Sequence, residues 1–264
     1  MKFIVTDPVK AHLLSIILKN LKLFVETITF RCMDNELHIQ TLDQGHCCLL
    51  DLHISGEWFD TYDSSFNQSE LANAIISINT TTLQKVMDTR ANTQSMEFST
   101  DVDADNLYIS LTGSQKVCNK KFKIPLLDLE TDLMEPTINE SNVDLVMPTK
   151  SFTTLIKQMQ GFSHTLQTHF TDSSISFEAN GTEGSMIANV DLENDASEYS
   201  ISEDMELKQQ FGIKYMEYMY AFGGLSPEII MYFSENQPFH AKYILDKDTD
   251  SCLSFYLAPM VDDD

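Results

Sequence analysis

The chain starts over about halfway along. Lys2–Val5 reads as a strand, Asp7 as a helix cap and Pro8 as a first-turn proline. Val9, Leu13, Ile16, Ile17, Leu21 and Phe24 then form an apolar stripe at helical spacing. At Val143 the order returns: the strand Val143–Met147 runs into Pro148, and the pattern predicts a helix over 150–160. Within each half a strand, a helix and several strands occur twice. The first half has a helix over 8–26, strands at 27–32, 36–42 and 46–54, a helix over 81–91, and strands at 95–98 and 107–112. The second half has strands at 169–171 and 175–179 and a helix over 211–222 stopped by Gly223-Gly224. A hairpin of 228–234 with 239–245 follows, and 252–257 closes the chain. Single strands alternating with helices would give a doubly wound parallel sheet. Here the strands come in hairpin groups after each helix. The expected class is therefore α+β: two similar domains, each of two helix-plus-antiparallel-sheet repeats, with the helices on one face. The domains span 1–127 and 143–264. Between them, 128–142 is acidic, aperiodic and proline-containing, and reads as a surface connector.

Charge separates by element. The chain holds 17 Lys and Arg against 40 Asp and Glu, a net charge of −23. Affinity for nucleic acid comes largely from Lys and Arg neutralising phosphates, so the molecule as a whole is not built to coat a polyanion. Yet the four expected helices hold eight of the 17 basic residues, Lys10, Lys19, Lys22, Lys85, Arg90, Lys150, Lys157 and Lys214. They hold three of the 40 acidic ones, Glu26, Asp88 and Glu217. His12, Ser15, Lys19 and Lys22 are spaced to share a face of the first helix. Thr154, Lys157 and Gly161 do so on the third, and Lys214, Tyr218 and Ala221 on the fourth. Any amphipathic helix has a polar face, often rich in Lys. The contrast with the acidic remainder points instead to a shared basic surface that meets phosphates without reading bases.

Five cysteines, odd in number and without framework spacing, read as free thiols. No apolar run approaches the roughly 18 residues that span a bilayer, and the start lacks a signal-like apolar core. An intracellular protein with no membrane role is expected. Catalytic signatures are missing too. The sequence has no phosphate-binding glycine loop, no H-E-x-x-H, no C-x-x-C and no nucleophile elbow. Asp101-x-Asp103-x-Asp105 begins like a calcium loop, but Asn106 replaces the turn glycine and Thr112 stands at the bidentate acid's place. No enzyme, cofactor or metal is expected.

Leu37-His38-Ile39-Gln40-Thr41-Leu42-Asp43-Gln44-Gly45-His46, continuing to Gly56-Glu57-Trp58-Phe59-Asp60-Thr61-Tyr62, resembles the proliferating cell nuclear antigen family of DNA sliding clamps. So do Leu127-Asp128-Leu129, Met147-Pro148, Leu225-Ser226-Pro227, Lys242-Tyr243 and Phe255-Tyr256-Leu257-Ala258-Pro259 before an acidic tail. The likeness runs end to end in one order.

The resemblance implies a non-catalytic processivity factor of replication and repair: three chains closed head to tail into a homotrimeric ring around duplex DNA, without sequence specificity. Lys10, Lys19, Lys22, Lys85, Arg90, Lys157 and Lys214 would face the DNA. A clamp loader would open the ring. DNA polymerase, nuclease and ligase would dock by a short peptide with a Gln and paired aromatics. Their pocket would use Leu42, His46, Leu133 or Met134, Pro136, Pro238, Tyr256, Ala258 and Pro259. The ring contact would join an edge around Cys118–Ile124, with Lys120, Lys121 and Phe122, to one around Ser174–Ala179 of the next copy, with Ile175, Phe177 and Glu178. Basic Lys116, Lys120, Lys121 and Lys123 would meet Asp172, Glu178 and Glu183. The expected place is the nucleus, or a viral replication site. This chain departs from the family where relatives carry basic residues toward DNA: here stand Ser15, Ile16, Asp88, Thr154 and Ala221. The connector is also less apolar, and the stretch from Asp63 to Ile78 is longer. Retention by ring closure rather than by affinity is the consequence. The competing readings are one subunit of a heterotrimeric checkpoint-type clamp, a monomeric processivity factor of the same fold, and a hydrolase with an unrecognised site.

Overall fold

The computed structural model describes residues 1–64, 74–100, 105–113, 117–129, 132–136 and 140–260. Residues 101–104 of the acidic turn, Lys116, connector residues 130–131 and 137–139, and the tail from 261 lie outside the described residues. The chain forms two compact units. One is Met1–Gln44, Leu50–Leu133 and Ile244–Leu253; the other is Gly45–Leu49, Met134–Tyr243 and Ser254–Asp264.

In the first unit β1 (Lys2–Val5) leads into α1 (Pro8–Asn20). Asp7 Oδ1 accepts from the Val9 and Lys10 amides at 2.8 and 2.9 Å, satisfying two of the unpaired first-turn donors. The helix is shorter than its periodicity suggests. The chain tightens into a 3-10 turn at Leu21–Leu23, which buries Leu21 and Phe24 without another α turn. The phase of its buried face also differs from the expected stripe. Ala11, Leu14, Ser15, Ile17 and Leu18 are buried, with Ser15 at 5% exposure, while Val9 is 67% exposed. Ala11 to Leu18 is apolar on nearly every side, so periodicity alone does not fix which face turns inward.

β2 (Thr27–Cys32), β3 (Glu36–Leu42), β4 (Cys48–Ser55), β5 (Thr61–Asp63) and β6 (Ala74–Asn79) follow. Then come α2 (Thr80–Asp88), capped by Asn79, and β7 (Ser95–Thr100), β8 (Asn106–Thr112) and β9 (Lys120–Pro125). One antiparallel sheet has the order β5-β1-β7-β8-β9. A second runs β6-β2-β3-β4. α1 packs on α2. Phe3 stacks on Phe98 at 4.5 Å and meets Phe59 at 5.2 Å in the core.

The second unit repeats the plan. β10 (Val143–Pro148), α3 (Thr149–Met159), β11 (Thr165–Thr171), β12 (Ser174–Gly181), β13 (Gly184–Val190), β14 (Glu198–Ile201) and β15 (Leu207–Gly212) precede α4 (Ile213–Ala221). β16 (Glu228–Phe233) follows, and β17 (Phe239–Asp246) as far as Tyr243 and β18 (Ser251–Leu257) from Ser254 complete it. The orders are β14-β10-β16-β17-β18 and β13-β12-β11-β15, and α3 packs on α4. Phe233 stacks on Phe239 and meets Phe170, each at 4.5 Å, with Phe211 5.5 Å from Phe239. Each such buried ring contributes about 1.5–3 kcal/mol by leaving water. The class is α+β, with four α-helices among the described residues, packed in pairs against antiparallel sheets.

One expectation is overturned. β12 is not an edge: it pairs with β11 on one side and β13 on the other. Ile175 and Phe177 are sealed in the core at 0% and 1% exposure, and Glu178 sits on the same internal strand. These three residues therefore do not form an edge contact. The tight Gly181–Gly184 turn folds a further strand, β13, against them, and β13 is the edge. β9 is the opposite kind of case: it closes its sheet as expected.

Candidate functional site

The expected DNA-facing residues fall into two kinds. Lys22, on the turn after α1, and Lys85, on α2, stand exposed. Lys157 and Lys214 are exposed too, but each ammonium lies over a ring, Lys157 at 4.9 Å from Tyr220 and Lys214 at 4.5 Å from Tyr215. Cation–π contact leaves such a charge open to solvent on its other side. The remaining three are engaged within the chain. Lys10 Nζ donates to the Trp58 carbonyl at 2.9 Å and lies 3.9 Å from Asp246. Lys19 Nζ pairs with Asp88 Oδ1 at 3.1 Å, joining α1 to α2. Arg90 lies beyond the end of α2, and its guanidinium donates to the Gln94 and Asn92 carbonyls at 2.9 and 3.2 Å. It closes its own loop, and burial pulls its pKa down. The helices thus present fewer open charges than the sequence suggests.

In the second unit a cavity of about 530 Å³ is lined by Pro136, Pro238 and Tyr256 of the expected set. Its wall is a ring stack that the sequence reading missed. The His240 imidazole lies between Tyr232, at 5.0 Å and 25°, and Tyr256, at 4.5 Å and 15°. Tyr232 and His240 are direct cross-strand partners on β16 and β17. The period-two alternation of those strands places both on one face, which is the signal that could have found them. His240 Nε2 lies 3.1 Å from Ser254 Oγ, which fixes the ring's rotation. Burial, then the Asp144 and Glu198 charges, push the Tyr232 hydroxyl pKa up and keep it neutral. With Glu140 and Lys242 also on its lining, the cavity suits an apolar or aromatic plug with polar groups at its rim. This His–Ser pair is no hydrolase site: Ser254 is buried and the imidazole is clamped, so Oγ is closed to a carbonyl.

The other expected pocket residues lie elsewhere. Met134 is 51% exposed and Leu133 is exposed beside it, neither lining the cavity. Ala258 donates its amide to the Cys47 carbonyl at 2.9 Å. Pro259 lines a separate, more polar concavity of about 570 Å³ with Leu207, Gln209 and Met260. Leu42 ends β3 half-exposed, and His46 is exposed with a left-handed φ of 55°.

At the ring-contact edge, Lys120 turns back and donates to the Thr89 carbonyl at the end of α2. Lys121 and Lys123 are exposed, Lys123 with its ammonium 5.9 Å from the Tyr108 ring, and Phe122 is half-buried. On β13, Ile187 is 59% exposed, between Glu183 before the strand and Asp191 after it.

Comparison with known proteins agrees with this layout in both halves. The family model for the proliferating cell nuclear antigen N-terminal domain matches residues 7–134, and that for the C-terminal domain matches residues 137–260. Proliferating cell nuclear antigen of Chaetomium thermophilum is 23% identical over 261 residues, covering 97% of each chain. Proliferating cell nuclear antigen 1 of Plasmodium falciparum is 25% identical over 244 residues, 88% of this chain and 87% of that one. A probable DNA polymerase sliding clamp 2 of Paramecium bursaria Chlorella virus 1 is 26% identical, covering 86% of this chain and 80% of that one. A PCNA2–PCNA3 complex from Sulfolobus tokodaii shares the fold, with a TM-score of 0.83 at 20% identity over 98% of this chain and 99% of that one. With both domain models matched in order along nearly the whole sequence, the chain belongs to the proliferating cell nuclear antigen family of DNA sliding clamps, a family of non-enzymatic processivity factors.

Proposed function

We propose that three copies of this chain close head to tail around duplex DNA and carry partner proteins on the second unit's cavity. The observation that carries this reading is a pair of unlike sheet edges in one chain. β9 offers unpaired backbone groups beside the exposed Lys121 and Lys123. β13 offers them beside the exposed Ile187, with Glu183 and Asp191 at its ends. An edge left open invites pairing with another chain. Two different edges on one subunit make a head-to-tail contact, which gives a ring when the rotation closes. Opposite charge sets which edge meets which. The exposed Lys22, Lys85, Lys157 and Lys214 on the helices meet the phosphates. Polymerases, nucleases and ligases dock by a short peptide whose apolar and aromatic side chains fill the cavity beside Tyr256. A clamp loader opens the ring, in the nucleus or at a viral replication site; the viral relative's name as a polymerase clamp supports the latter.

Native mass measurement of the purified chain tests the ring. The expected species is three times the 30.0 kDa subunit. A stable monomer at micromolar concentration overturns the homotrimer. A ring that forms only with a second, different clamp chain replaces it with a heterotrimer.

A further inference from the structure

We propose that His38, Asp51 and His53 form a binding site for one divalent transition-metal ion of the zinc class, held by the β3–β4 pair of the first unit. Period-two alternation brings these residues to one face. Glu36, His38 and Gln40 alternate along β3, and Asp51 and His53 along β4. One donor atom from each of His38, Asp51 and His53 lies within 4.8 Å of the other two. His38 Nε2 is 2.7 Å from Asp51 Oδ1, and His53 Nε2 is 3.3 Å from Asp51 Oδ2. The two imidazoles stack at 4.3 Å and 18°. A tetrahedral zinc ion with bonds of about 2.0–2.1 Å holds its donors about 3.3 Å apart. The His53–Asp51 pair already has that spacing, the His38–Asp51 pair reaches it by opening about 0.6 Å, and the two imidazole donors lie within 4.8 Å of each other.

The surroundings are those of a metal-binding imidazole. His53 Nδ1 lies 3.2 Å from Glu36 Oε2, so a carboxylate stands behind the ring and fixes which nitrogen faces inward. Gln40 Nε2 donates to Asp51 Oδ1 at 3.4 Å. His38 presents Nε2 to the cluster, and its other ring nitrogen, Nδ1, is buried without a partner on the side away from Asp51. His38 and Asp51 are buried, while the half-exposed His53 leaves a way in. Two imidazoles with one carboxylate select zinc-like ions over magnesium or calcium, and leave a fourth position for water. The bound ion joins β3 to β4 and stiffens that face of the sheet; it does no chemistry.

The test uses the full, untagged chain after chelator treatment. Zinc is titrated by calorimetry, and cobalt serves as a coloured probe. One saturable equivalent is expected, with a four-coordinate cobalt spectrum lacking a thiolate charge-transfer band. His53→Gln, at a half-exposed position that the fold tolerates, is expected to weaken zinc binding roughly tenfold or more. It should also abolish the zinc-induced rise in melting temperature. Asp51→Asn gives a second reading, its fold checked by circular dichroism. The proposal is overturned by wild-type protein that takes up no zinc, by equal affinity in His53→Gln, or by cobalt bound through thiolates.

Discussion

His240 lies between two tyrosine rings, so one wall of the cavity is set by residues that touch one another, beside the connector residues Pro136, Glu140 and Ser141. Tyr256→Ala removes one face of that stack and one wall of the cavity together. It is expected to weaken binding of a Gln-and-paired-aromatic peptide by about tenfold or more, about 1.4 kcal/mol, as loss of an aromatic anchor does. Met134→Ala, at a side chain already half in water, is expected to change little. Fluorescence anisotropy with a labelled peptide separates the two; equal losses would move the docking site onto the connector. A second residue-scale prediction concerns Asp60, which accepts from the Thr6 amide at 2.6 Å and its hydroxyl at 2.8 Å. Those bonds hold its carboxyl below the ordinary 3.8. A depressed carboxyl stabilises the fold above its unfolded value, and that contribution fades as pH falls through the folded value. Asp60→Ala should therefore melt lower than wild type at pH 7, with the gap closing below about pH 4. A gap that widens in acid contradicts this. At this scale the sequence was uneven. Trp58-Phe59-Asp60 and Phe255-Tyr256-Leu257 stood out as contiguous motifs. His38, Asp51 and His53 share no readable spacing, because β-pairing and not sequence distance brings them together.

β12 and β13 show what an element adds to a residue list. A strand over 175–179 was legible, but Ile175 and Phe177 were expected at an edge contact and are instead buried. What the sequence could not reveal was that the strand is internal, because that depends on a four-residue turn. Gly181 makes the turn's approach possible: a Cβ there would lie 1.8 Å from the Phe162 carbonyl oxygen. The same limit explains the first helix. Its existence and cap were readable from Asp7 and Pro8, but its inward face was not, since Ala11 to Leu18 is apolar almost all round. The edge assignment predicts a split between stability and assembly. Ile187→Asp changes an exposed side chain, so it should leave the melting temperature within a few degrees while breaking the trimer. Phe177→Ala removes a buried ring and should cost about 3–5 kcal/mol of stability. Light scattering beside thermal melts reads both. A trimer that survives Ile187→Asp would remove β13 from the ring contact.

For the whole molecule, the net charge of −23 and the few open lysines act together. The acidic bulk repels phosphates from most of the surface, and Lys10, Lys19 and Arg90 are engaged by the chain itself. Each phosphate contact steepens the fall of affinity with salt, by about 0.9 in the log–log slope on duplex DNA. With four open lysines per subunit instead of the seven basic residues expected, the proposed ring should show a shallower slope, and weaker affinity for DNA with open ends, than the full set would give. Topology must then do the holding. Rings loaded onto a closed plasmid should stay for many minutes in salt that strips the chain from a linear fragment. Cutting the plasmid once should shorten that residence at least roughly tenfold, because sliding to an end replaces breaking the ring as the way off. Single-molecule residence times before and after cleavage measure this. Equal residence on cut and closed DNA, with a steep salt slope, would show that charge and not closure holds the clamp. Lys121→Glu should shorten residence on closed DNA, most strongly at low salt, because it weakens the β9 edge that keeps the ring shut. Lys120→Glu should do so less, since Lys120 is turned toward the end of α2 rather than outward.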